Sequence, residues 1–152
     1  MIKPLLAAFG LTAATVIIHG AGAMASVRHV ARLWNERKGR LKRLGAELLI
    51  VRLVSVLLLL HLTEASVWAL FFALVGALPD LETAAYYSLT SYTTVGYGDV
   101  ALPEPWRLLG PIEAAVGVLM LGWSTGVLVA AIGRIYGYMF QPAAAREAPP
   151  ET

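Results

Sequence analysis

Six consecutive residues, Thr94, Val95, Gly96, Tyr97, Gly98 and Asp99, have the types and spacing to handle a dehydrated cation. A threonine hydroxyl opens the run, and the carbonyls of Thr94, Val95, Gly96 and Tyr97 follow it. Gly96 and Gly98 alternate with side-chained residues and permit the backbone angles that turn successive carbonyls to one side. Oxygens stacked in this way, repeated by several copies around an axis, can replace the hydration shell of an ion. Val95 and Tyr97 would then point away from the axis and pack behind the run. Asp99 would ring the outer mouth, where a circle of acids concentrates cations.

Two further sets of residues invite chemistry. His61 and Glu64 interrupt an otherwise apolar stretch and share a helix face by their spacing of three. Ionisable groups within a membrane segment face the protein interior and mark functional or structural polar contacts. They are expected to lock the neighbouring short helix in place, through Thr90 or Ser91, or to make that contact sensitive to pH or ions. Gly117 and Gly122 lie in a later apolar stretch, where glycine permits either bending or close helix approach, so both are candidate gating hinges. No metal-ligand cluster, phosphate loop or nucleophile–base arrangement stands out, and catalysis is not expected.

The elements that must position these residues follow from composition. The chain has 152 residues, 58% of them hydrophobic and only 14% charged, which is the balance of a membrane protein. It has no cysteine, so neither disulfides nor thiolate metal sites exist. Residues 4–25 form a charge-free apolar run long enough to span a bilayer. The same run has the outline of a signal peptide, with Lys3 in front and small-residue sites near Ala23 and Ala25. Cleavage would leave the following basic stretch outside, against the positive-inside rule, so a retained span is the expectation. That stretch holds Arg28, Arg32, Arg37, Lys38, Arg40, Lys42 and Arg43 against Glu36 alone, a local charge of +6 in a chain of net +2. It reads as a cytoplasmic loop, able to meet anionic lipid headgroups, and its membrane flanks argue against nucleic acid as a partner.

A second span is expected from about residue 47 to 78 and a third from about 111 to 140. The third, with Pro111 in its first turn, covers about 36 Å between Pro111 and Arg134. Between them, Asp80 and Glu82 mark a helix start. Residues 81–93 then form a helix too short to cross, followed by a strand-like run and a loop containing Pro103 and Pro105. A half-crossing helix with an irregular return is a re-entrant loop, tolerated only where protein or a water-filled path shields it.

With the helix Ala84-Ala85-Tyr86-Tyr87-Ser88-Leu89-Thr90-Ser91-Tyr92, the run Thr94 to Gly98 and a glycine-rich last helix, residues 46–140 resemble the pore module of the bacterial two-span potassium channel family. The resemblance implies an all-α membrane protein in which span, pore helix, filter and span are repeated by four identical chains around one pore. It implies K+ as the permeant ion, held by the carbonyls of Thr94, Val95, Gly96 and Tyr97, with no other cofactor. It gives Tyr86 and Tyr87 the part of an aromatic cuff around Tyr97. Several family members carry an acid, paired to the aspartate after the filter, where Thr90 stands here.

The expected plan is an N-terminal transmembrane helix over 1–26, a basic cytoplasmic loop over 27–45, the pore module over 46–140 and a short cytoplasmic tail over 141–152. The expected setting is a cell membrane, by resemblance the bacterial inner membrane. A less selective cation channel and a non-conducting accessory subunit are the alternatives.

Overall fold

The computed structural model describes residues 2–37 and 43–139. They form four helices: α1 (Ile2–Arg37), α2 (Arg43–Leu74), α3 (Leu81–Tyr92) and α4 (Leu109–Met139). Among the described residues there is no strand, and α1, α2 and α4 are each long and apolar enough to cross a membrane. The protein is an all-α membrane protein with an N-terminal helix before the pore-like segment.

Two buried clusters fix how the long helices run. At one end Ala8 and Leu11 of α1 join Phe72 of α2, Tyr87 of α3 and Leu109 of α4. At the other, Trp34 packs with Ala46, Leu49 and Ile135. Helix α1 therefore runs from the end holding Ala8 and Leu11 to the basic end, α2 returns, and α4 runs parallel to α1. Helix α3, about 18 Å long at 12 residues, lies in the connection between the end of α2 and the start of α4.

The basic stretch is largely helical. Helix α1 continues through Arg37, and α2 already starts at Arg43. At 36 residues α1 is about 54 Å long, beyond the ~30 Å of a hydrocarbon core, so its basic turns extend past the span. Residues 38–42 of the expected loop, and the expected tail over 141–152, lie outside the described residues.

Helix α2 stops at Leu74, four residues before the expected end. The cause is Gly76, at φ 66°. Its N–H reaches the Ala73 carbonyl at 3.1 Å and the Ala77 N–H reaches the Phe72 carbonyl at 2.9 Å, a Schellman ending that needs the left-handed residue. The apolar Ala77 and Leu78 beyond it are buried in the core and do not extend the helix.

Asp80 then caps α3. Its extended backbone (φ −153°, ψ 168°) turns the carboxylate onto the first turn. Oδ1 accepts from the Thr83 N–H at 2.7 Å, and Oδ2 accepts from the Thr83 hydroxyl at 2.9 Å. The Thr83 backbone N–H, chiefly, holds the Asp80 carboxyl below its ordinary value.

Candidate functional site

Helix α3 ends by feeding an irregular segment. Thr93 is its C-cap, and the Thr94 and Gly96 N–H groups reach back to the carbonyls of Ser91 (2.9 Å) and Thr90 (3.0 Å). No strand forms here, unlike the expected strand-like run, because alternate residues adopt positive φ and the segment hydrogen-bonds back to α3. Thr94, Gly96 and Gly98 all have positive φ, at 63°, 49° and 79°, while Val95 and Tyr97 do not. This alternation of sign turns successive peptide groups the same way, N–H to one side and carbonyl to the other. Thr94 is the sole non-glycine with positive φ among the described residues.

Residues 93–99 are all exposed on the single chain, Tyr97 at 72% and Val95 at 53%. Tyr97 stacks on Tyr86, ring centroids 6.5 Å apart and 11° from parallel. The Tyr86 hydroxyl donates to Asp99 Oδ2 at 2.8 Å, and Asp99 Oδ1 accepts from the Val100 N–H at 3.1 Å.

The expected aromatic cuff divides. Tyr86 reaches Tyr97, but Tyr87 turns into the core, edge-on to Phe72 at 5.6 Å, with its hydroxyl against Gly110. Thr90 donates to the Tyr87 carbonyl at 2.9 Å within its own helix, so the hydroxyl is engaged locally.

His61 and Glu64 do meet α3, though through its last residue, Tyr92, and not through Thr90 or Ser91. The Tyr92 hydroxyl donates to Glu64 Oε2, and His61 Nδ1 lies 3.0 Å from that hydroxyl. Two residues that sequence reasoning left out complete the group. His19 of α1 places Nδ1 2.9 Å from Glu64 Oε1, and Ser124 of α4 lies 3.0 Å from His61 Nε2 and 3.4 Å from His19 Nε2. His19 and Glu64 are fully buried. A histidine alone in a charge-free span was the available signal for the first; a serine in an apolar helix gives none.

Gly117 and Gly122 differ in setting. A Cβ on Gly117 would collide with the carbonyl oxygen of Tyr92, so α4 crosses α3 at backbone distance there. Gly122 has open space around it on the single chain. Near the start of α4, Glu113 is buried beside Ser88, and among the described residues no hydrogen bond of ordinary geometry reaches either carboxylate oxygen or the serine hydroxyl.

Two apolar spans, a short helix hydrogen-bonded to an irregular loop and a glycine packed on that helix define the pore-forming class of membrane protein. Residues 56–134 match the ion channel family, and the chain belongs to it. No curated protein matches the chain, and no solved structure does.

Proposed function

We propose that the chain is a potassium-selective channel, conducting passively through a filter that four identical copies build together. One observation carries this reading: residues 93–99 are exposed irregular backbone set between apolar spans. Lipid cannot satisfy such backbone, so other copies and a water-filled path must face it. Carbonyls of Thr94, Val95, Gly96 and Tyr97 then surround K+, Gly96 and Gly98 hold the path, and Asp99, oriented by Tyr86, rings the mouth. The run Thr-Val-Gly-Tyr-Gly, a known potassium filter, supports K+ over other cations. The basic stretch between α1 and α2 supports a cytoplasmic placement there, anionic headgroups beside it, and a filter facing outward from a bacterial cell membrane.

Purified chain in liposomes should pass K+, exclude Na+ and be blocked by Ba2+. Confirmed tetramers without K+ flux would overturn the channel reading in favour of an accessory subunit. A less selective pore is the second reading, favoured by Thr90, whose hydroxyl bonds its own helix and leaves Asp99 to Tyr86. Tyr86→Phe should therefore lower the K+/Na+ permeability ratio measured by bi-ionic reversal potential. An unchanged ratio would remove Tyr86 from filter support.

A further inference from the structure

We propose that His19, His61 and Glu64, completed by the Tyr92 phenol oxygen, form a site for a divalent transition metal of the zinc class, independent of which ion the pore conducts.

The donor set comes first. One nitrogen from each histidine and a carboxylate oxygen lie within 4.8 Å of one another. Two imidazoles and one carboxylate, with a fourth position open, are a recurrent zinc set. A tetrahedral ion at zinc–ligand distances separates its donors by about 3.3 Å. The present separations bracket that value: 2.9 Å for His19 Nδ1 to Glu64 Oε1, 3.6 Å for His61 Nδ1 to Glu64 Oε2, and 3.0 Å for His61 Nδ1 to the Tyr92 hydroxyl. The donors of His19, His61 and Glu64, all within 4.8 Å, would draw together by side-chain rotation to share one centre.

Proton counting points the same way. Five polar contacts join His19, His61, Glu64, Tyr92 and Ser124. With Glu64 ionised and both rings neutral, the five side chains carry four protons, one on each ring, one on Tyr92 and one on Ser124. One contact then sets acceptor against acceptor, a mismatch that an added proton or a bound metal ion relieves. A metal on both Nδ1 atoms leaves each ring proton on Nε2, and both N–H groups donate to Ser124 Oγ, which has two lone pairs. An acceptor behind each ligating ring is the outer support that metal sites use.

Charge also favours a cation: the incoming ion brings +2 and the buried Glu64 carboxylate supplies −1 directly against it. It would fasten α1 and α2 to the last residue of α3, two positions before Thr94.

Tag-free, full-length protein in detergent, stripped with chelator and titrated with Co2+, should bind one ion per chain. It should show tetrahedral absorption. His19→Gln should abolish the tetrahedral spectrum, and Ser124→Ala, which keeps every ligand, should weaken binding about 10–100-fold. His29→Gln, altering the remaining histidine, should change nothing. Size-exclusion profiles check that the variants assemble as the parent does. Binding below one ion per chain, a solvent-like octahedral spectrum, or equal affinity in parent and Ser124→Ala would each overturn the site.

Discussion

Thr94 holds a left-handed backbone that costs an L-residue about 1–2 kcal/mol. Such strain persists only where the surrounding structure enforces it, here through the bonds of Thr94 and Gly96 to α3. Gly96 and Gly98 supply the same sign of φ without the cost. If four copies build the proposed filter, Gly96→Ala should abolish K+ flux in liposomes, because the strain is added once in each copy. Asp80, between α2 and α3 and outside the spans, permits a prediction in pH. Its carboxyl sits below the ordinary 3.8, so its contribution is present above that value and lost as pH falls through the lowered one. Asp80→Ala should lower the melting temperature at neutral pH, and the gap from the parent should close in strong acid.

Among the elements, the crossing of α3 and α4 separates the two hinge candidates. Gly117→Ala drives a methyl into the Tyr92 backbone and should cost on the order of 1–3 kcal/mol, read as a lower melting temperature. Gly122→Ala meets open space on its own chain and should leave stability near that of the parent while shifting open probability if α4 bends there. An unchanged open probability would remove Gly122 as a hinge. The sequence made α3 legible because Asp80 and Glu82 mark its start and its length cannot cross a bilayer. The end of α2 was not legible, because Ala77 and Leu78 continue the apolar pattern, while Gly76 stops the helix through a backbone angle that hydropathy does not register.

At the scale of the whole molecule, α1 is joined to the pore-like segment by polar as well as apolar contacts. Beyond His19, its Thr15 hydroxyl accepts from Trp68 Nε1 at 3.0 Å, and that hydroxyl donates to the Leu11 carbonyl. Removing residues 1–27 would expose the buried Glu64 to an unmet hydrogen bond, at about 1–3 kcal/mol for a polar group left unsatisfied. The truncated protein should show a lower oligomer melting temperature in detergent, and an equal one would make α1 an accessory to the bundle. The apolar runs exposed α1 as a span, yet its role was hidden. His19 meets Glu64 across 45 positions of chain, and no periodicity within either helix encodes that meeting.

Tyr92 is gripped at both ends. Its hydroxyl is held by Glu64 and His61 on α2, and its carbonyl lies where α4 passes at Gly117. The chain between this residue and Thr94 is a single peptide step on either side of Thr93. Tyr92 thus works as a crossbar between α2 and α4. A tilt of α4 at Gly117 has no slack to absorb it and arrives at the Thr94 carbonyl as a displacement.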